Sequence, residues 1–228
     1  MSRSFKPRMD ILPPAQKRLW SQLRSAVELG FVLYGGTAIA LRLGHRTSVY
    51  FDFFNDKSLN KNELLHKLSF LQKAVVLQDS PDSLTVLVSS ETSKMDTVKV
   101  SFFGSIDFGR VGEPERTEDG ILQVASLEDL LALKLKVILQ RVEAKDYRDI
   151  AALVKSGVSL DRGLAAARAL YGSMFQPAES LKALVYFEGG ELKELSSDIQ
   201  KFLIDASGKV RKLPTAHVLS HSLMGAGS

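Results

Sequence analysis

Cysteine is absent from this sequence, and its absence excludes three kinds of chemistry. A disulfide scaffold, a cysteine-ligated zinc site and a cysteine nucleophile all need a residue that the chain does not have. Long apolar runs are also absent: none reaches the roughly 18 residues of a membrane span. Residues 1–14 carry charges and prolines in place of an apolar signal core. We therefore expect a cytoplasmic protein with no membrane partner.

A Walker-type phosphate loop, G-x-x-x-x-G-K-S/T, is another motif that the sequence lacks. Its absence excludes an ATPase of the P-loop class, so any nucleotide site must be of another type. A large excess of one charge is missing as well, since 30 basic side chains stand against 26 acidic ones. The net charge of +4 mildly favours phosphate-bearing partners and is far from that of a histone-like protein.

The first half of the chain alternates between strand and helix patterns. An apolar run at 31–34 is followed by Gly35-Gly36, a helix-forming stretch at 37–43, a basic turn at 45–48 and an aromatic strand at 49–54. Apolar residues at spacings of four predict a helix over 14–29, and Asn60 with Glu63 predicts a capped helix through residue 70. Extended segments at 74–77, 83–89 and 97–103 predict a mixed sheet.

The second half of the chain has a different composition. A charged loop at 110–120 and a short strand at 121–124 precede four or five predicted helices, the last over 191–205. We predict an α+β fold in which residues 1–125 form an α/β domain with a small mixed β-sheet. Residues 126–228 are predicted to form a mainly helical domain with a mobile tail from Lys209.

The turn Gly35-Gly36-Thr37 is the first candidate for function. A glycine turn that opens a helix exposes backbone N–H groups with no intrahelical partner, and this positive end can hold a phosphate. A purely structural alternative stays open, because a strand-to-helix turn needs glycine for its backbone angles anyway.

Two segments of the sequence carry a resemblance to a known family. The stretch YGGTAIALRLGHRTSVYFDFF and, downstream, ASLEDLLALKLKVILQRVEAKDYRDI resemble the two signatures of the AbiEii/AbiGii nucleotidyltransferase toxins, with similarity from about residue 29 to 187. The resemblance implies a DNA-polymerase-β-like nucleotidyltransferase fold. In such proteins a glycine turn binds the triphosphate of an NTP and paired aspartates bind magnesium or manganese.

The sequence departs from that family pattern at one of the paired aspartates. The two positions are Tyr50 and Asp52, and tyrosine is a poor magnesium ligand at neutral pH. A single Mg²⁺ (or Mn²⁺) held by Asp52, water and the nucleotide phosphates remains reasonable. A third acid is expected near 98–102, where Ser101 stands and no acid is found. Acids elsewhere that can replace the missing aspartate are Asp56, Asp96 and Asp107.

The resemblance also implies roles for basic residues and for a second acid. Arg46 would contact triphosphate oxygens and Ser48 would fix the turn, the alternative being a solvated basic turn with Ser48 as a local cap. The alternative for Asp52 is a strand-end residue that pairs with Arg46 or a lysine. On a continuous helix, Lys134, Arg141 and Lys145 form one basic stripe. The KDxxD pattern is complete in Lys145, Asp146 and Asp149, with Asp146 as the catalytic carboxylate. Intrahelical ion pairs among these three residues are the alternative.

The implied activity is transfer of a nucleoside monophosphate from an NTP to an RNA end, such as that of tRNA, or to a protein hydroxyl. Its expected partner is a cognate antitoxin protein. The expected catalytic residues are Asp52, Lys134 and Asp146, and the expected nucleotide-binding residues are Gly35, Gly36, Thr37, Arg46, Ser48 and Lys145. Two alternatives stay open: a nucleotide- or RNA-binding module that Tyr50 has made catalytically impaired, and a protein-interaction module with a basic stripe.

Overall fold

The computed structural model describes residues 3–89 and 96–225 of the chain. These residues divide into two compact units. The first contains residues 3–89, 96–109, 113–126 and 220–225, and the second contains residues 110–112 and 127–219. Within the described residues, no helix has the length and apolar character needed to cross a membrane.

The first unit is built on one mixed sheet, as the sequence predicts, and the described residues form eight strands of it. The order across the sheet is β1-β7-β8-β2-β3-β6-β5-β4. Strand β3 is central: it pairs antiparallel with β2 and parallel with β6. The strands are β1 (Ser4–Phe5), β2 (Val32–Tyr34), β3 (Tyr50–Phe54), β4 (Val75–Ser80), β5 (Ser83–Ser89), β6 (Thr97–Phe103), β7 (Glu115–Thr117) and β8 (Gln123–Val124).

Four α-helices accompany this sheet in the described part of the first unit: α1 (Pro14–Leu19), α2 (Arg24–Glu28), α3 (Gly35–Leu43) and α4 (Lys61–Lys67). The prediction of one helix over 14–29 is wrong, because a 3-10 turn at Trp20–Leu23 separates α1 from α2. The apolar residues Leu19, Leu23 and Val27 are nevertheless all buried. The predicted cap of α4 is confirmed: the Glu63 N–H donates to Asn60 Oδ1 at 3.2 Å.

The two faces of the sheet differ in chemistry because side chains alternate along each strand. On one face Phe51 and Phe53 of β3 are fully buried with Val100 and Phe102 of β6, and this apolar layer is part of the core. The opposite face carries Tyr50, Asp52, Lys99 and Ser101, which we call the Asp52 face. The candidate site therefore lies on the polar face of the two central strands.

The second unit is helical, with α5 (Leu127–Val137), α6 (Ala144–Lys155), α7 (Leu160–Tyr171), α8 (Pro177–Leu184) and α9 (Ser197–Lys209). The prediction of a basic stripe on one continuous helix is wrong. Helix α5 ends at Val137 and α6 begins at Ala144, so Lys134 and Lys145 lie on different helices and Arg141 lies in the connection.

Residues 220–225, which the sequence analysis assigns to a tail of the helical half, lie in the first unit. Leu223 is fully buried there, and its backbone N–H donates to Asp56 Oδ1 at 3.0 Å. In the second unit, the Leu219 N–H donates to the Arg110 carbonyl at 2.7 Å. The last described segment is thus held by backbone hydrogen bonds in each unit.

Candidate active site

Gly35 and Asp52 are brought into contact where β2 ends and α3 begins. Gly35 has φ +74°, a left-handed conformation that favours glycine. A β-carbon on residue 35 would lie 2.6 Å from Asp52 Oδ2, well inside van der Waals contact. The antiparallel register that pairs Tyr34 with Asp52 produces this approach. The glycine turn and the aspartate, separate in sequence, therefore form one site.

Thr37 and Ser48 fix the segment that leads into β3. Both side chains are buried, and the Thr37 hydroxyl hydrogen-bonds with the Ser48 hydroxyl at 2.8 Å and with the Tyr50 carbonyl oxygen. These contacts tie the first turn of α3 to the start of β3. From the sequence, Thr37 is expected to bind nucleotide. The Thr37 side chain is instead bonded to Ser48 and Tyr50. Its backbone N–H, at the N-terminus of α3, is the group of Thr37 that could bind a phosphate.

Gln16 is a site-supporting residue that the sequence analysis did not identify. It is buried on α1, and with its amide nitrogen directed at Ser48 it lies 2.5 Å from the Ser48 carbonyl oxygen. Its amide oxygen then accepts from the Tyr50 N–H at 3.3 Å. A polar residue three positions before Leu19, on the apolar side of the predicted helix, was the available signal.

Asp52 is the one acid in its row of the sheet. Its register partner on β6 is Ser101, as the sequence analysis expects, and the Thr85 hydroxyl of β5 donates to Ser101 Oγ at 3.2 Å. Asp56 accepts from the backbone at Leu223, and Asp96 forms an ion pair with Arg18. Asp107 is exposed after β6. In the described part of the chain, no group of three His, Cys, Asp or Glu residues has a metal-binding arrangement.

The donor set around Asp52 fits one magnesium ion that takes most of its ligands from water and phosphate. Mg²⁺ commonly binds through one or two carboxylates together with substrate phosphates. Asp52 supplies one carboxylate beside the N-terminus of α3, where a triphosphate would lie. The neutral Tyr50 and Ser101 do not add the further carboxylates that a second metal ion would require.

Tyr50 and Lys99 are neighbours on the Asp52 face. They are register partners on β3 and β6, and Lys99 Nζ lies 5.0 Å from the centre of the Tyr50 ring, a distance typical of a cation–π contact. Tyr50 is 42% exposed. Lys99 is a second residue that the sequence analysis missed; the alternation in 97–103, which places Lys99 with Ser101 on one face, could have identified it.

Arg46 lies in the basic turn between α3 and β3 and is partly exposed. Its Nη1 donates to the carbonyl oxygen of Thr47 at 3.0 Å, a bond within the turn itself. One end of the guanidinium is thereby held against the backbone.

In the second unit, Lys134 is buried between two aspartates. Lys134 Nζ lies 2.5 Å from Asp146 Oδ1 and 2.7 Å from Asp149 Oδ2, and both carboxylates are fully buried. The expectation that Asp146 and Asp149 share a helix face is confirmed, since both reach the same ammonium group. Their cationic partner is Lys134 of α5, whereas Lys145 pairs with Glu143 at 2.7 Å.

Arg141 completes the neutralisation of this buried cluster. Its Nε donates to Asp146 Oδ2 at 2.9 Å and its Nη2 to Asp146 Oδ1 at 3.2 Å. Burial by itself raises the pKa of Asp146, but the hydrogen bonds from Arg141 and the charge of Lys134 outweigh it, and the pKa is lowered below its usual value. Asp146 is therefore an ionised carboxylate, fully engaged by two cations.

Two comparisons with known sequences show what this chain is similar to. The model of the family described as nucleotidyl transferase AbiEii toxin, type IV TA system, matches residues 18–216. An uncharacterized protein of Aquifex aeolicus (strain VF5) is 30% identical over 187 residues, which cover 79% of this chain and 86% of that protein.

Two solved structures share the fold. One is MenT4, a nucleotidyltransferase toxin from Mycobacterium tuberculosis H37Rv, with a TM-score of 0.56 and 14% identity, covering 87% of this chain and 91% of that one. The other is an antigenic nucleotidyltransferase-like protein from Paracoccidioides brasiliensis, with a TM-score of 0.53 and 15% identity, covering 87% and 94%. At these identities the two structures establish the likeness of fold alone.

Proposed function

The chain belongs to the nucleotidyl transferase AbiEii toxin family of type IV toxin–antitoxin systems, and we propose that it transfers a nucleoside monophosphate from an NTP to an RNA end or a protein hydroxyl. One observation carries the proposal: the glycine turn at the N-terminus of α3 lies against the carboxylate of Asp52. A phosphate-binding helix end and a carboxylate suited to magnesium thus occupy the same place. The implied protein partner is a cognate antitoxin.

Nucleotide binding is assigned to the turn and to the basic residues near it. The N–H groups of Gly35, Gly36 and Thr37 are at the helix end, where they have no intrahelical partner and can donate to phosphate oxygens. Arg46 binds the same anionic chain from the basic turn. Asp52 would hold magnesium or manganese, whose charge would offset the negative charge of the phosphates. Transfer forms a bond from the α-phosphate to the acceptor oxygen and releases pyrophosphate.

The second unit contributes through residues on its surface. Arg141 and Lys145 are 47% and 40% exposed, so both can contact phosphate oxygens of an RNA acceptor. Asp146 is enclosed by cations, so in this proposal it acts by orienting Arg141, and Lys134 acts by neutralising Asp146 and Asp149. In this proposal an RNA acceptor such as tRNA contacts these two exposed cations.

The test is incubation of the purified protein with each α-labelled NTP, magnesium or manganese, and total RNA. Label in RNA or protein that disappears in Asp52→Asn supports the proposal, because the amide keeps the shape of the side chain but binds metal weakly. Glu118→Gln, which removes an exposed carboxylate elsewhere in the first unit, is the matched control and should transfer label normally. Equal transfer by Asp52→Asn and the wild type would refute the assignment of Asp52.

A second candidate function is nucleotide or RNA binding without catalysis. The observation that favours it is Tyr50 with Lys99 at the position where the family pattern has an aspartate. NTP binding by calorimetry, together with no label transfer under any metal condition, would support this candidate over the first. Transfer of label in the wild type would exclude it.

A further inference from the structure

Lys99 places a cation on the same face of the sheet as Asp52. It is the register partner of Tyr50 on β6, one row from the pairing of Asp52 with Ser101. In a parallel pair, register partners direct their side chains to the same face, and residues two apart on a strand do so as well. Lys99 therefore belongs to the Asp52 face, beside the residue that stands in place of the family's other aspartate.

The ammonium group of Lys99 is held by a ring and not by a carboxylate. Nζ lies 5.0 Å from the centre of the Tyr50 ring. Among residues 3–89 and 96–225, no carboxylate forms an ion pair with Lys99. A cation–π contact orients an ammonium without neutralising it, so its charge stays available to an anion.

We infer that Lys99 is a polyphosphate-binding residue. It contributes a positive charge to the triphosphate site. In a protein with two aspartates, a second metal ion supplies that charge. The inference rests on the proposed function, since it concerns the same site. An aspartate at position 50 would instead form an ion pair with Lys99 and cancel its charge. Tyr50 does not, and its ring directs the ammonium toward the Asp52 face.

The charges on this face support the inference. Asp52 contributes one negative charge and Lys99 one positive charge, whereas Tyr50 is neutral. Without metal, these two formal charges cancel, whereas aspartates at both 50 and 52 would leave the face net negative and would repel a polyanion. A face with two aspartates would need metal ions before a triphosphate could approach. This chain should bind a triphosphate with little dependence on magnesium.

The experiment is calorimetric titration of the full chain with sodium tripolyphosphate in EDTA, which tests the anion site without a nucleobase or metal. Lys99→Gln should bind about tenfold more weakly, since a charge-assisted contact with phosphate is lost. Tyr50→Asp should also bind more weakly, because the new carboxylate pairs with Lys99.

Lys67→Gln is the control for overall charge, because Lys67 is exposed at the end of α4 and its loss should leave the affinity unchanged. Equal weakening by Lys67→Gln and Lys99→Gln would overturn the inference, as would unchanged affinity in Lys99→Gln. Thermal unfolding of each variant confirms that it is folded. The proposed function is tested separately, by label transfer: the absence of transfer in the wild type would contradict it.

Discussion

Gly35 lies so close to Asp52 that a β-carbon at residue 35 would be 2.6 Å from a carboxylate oxygen of Asp52. Gly35→Ala should therefore lower the free energy of unfolding by about 1–3 kcal/mol, because alanine is strained at φ +74° and must displace Asp52. Urea denaturation measures the change. Label transfer should fall too, since Asp52 moves.

Gly208→Ala is the matched control for that variant. A β-carbon at residue 208 meets nothing within 4 Å, and the residue lies in α9, so alanine should be neutral or stabilising by up to about 1 kcal/mol. Equal destabilisation at both positions would show that the contact with Asp52 is not the cause.

The buried pairing of Lys134 with two aspartates predicts a large loss of stability in Lys134→Met. Methionine fills similar space but leaves Asp146 and Asp149 without the ammonium between them, at an expected cost of about 3–5 kcal/mol. Adding Asp149→Asn to that variant should recover part of the loss. Lys145→Met removes an exposed lysine and should change stability by no more than about 0.5 kcal/mol.

The lowered pKa of Asp146 predicts how the free energy of unfolding changes in acid. Its folded pKa is lowered, so the stability it contributes is complete above the pKa of an unfolded aspartate, about 3.9, and is lost as the pH falls through the lower folded value. Urea unfolding from pH 6 down to pH 2 should therefore show a smaller acid-induced fall in Asp146→Asn than in the wild type. Parallel curves would contradict the role of Asp146 in this pH range.

The hydroxyls of Thr37 and Ser48 should be energetically coupled. Thr37→Val keeps the shape but removes the bonds to Ser48 and to the Tyr50 carbonyl, at an expected cost of about 1–3 kcal/mol. In a double-mutant cycle with Ser48→Ala, the two losses should sum to more than the loss in the double variant. Additive losses would mean that the 2.8 Å contact between the two hydroxyls contributes no coupling energy. Thr37→Ser should retain most of the stability.

The parts of this molecule that the sequence predicts are those fixed by local chemistry. The glycine turn, the cap at Asn60 and the extended segment at 97–103 each depend on residues a few positions apart, and all are present in the structure. Asp52 was singled out through the resemblance of residues 34–54 to a family signature.

The features that the sequence did not predict depend on contacts between distant residues. No glycine or proline marks the end of α5, and the connection after Val137 is stabilised by Arg141, which reaches Asp146 on the next helix. The short strands β1 and β7 pair with each other across more than a hundred residues, so neither has a pattern of its own. Lys99 has significance only through its register with Tyr50.

The return of the last described segment to the first unit has a consequence for synthesis on the ribosome. Asp56 is made early, but the backbone group that it bonds, the Leu223 N–H, is made near the end. Domains usually fold in the order in which they leave the ribosome. Here the sheet unit cannot bury Leu223 until the whole helical unit has been translated, so a chain that terminates before residue 220 would leave the sheet unit unfinished even with all eight of its strands present.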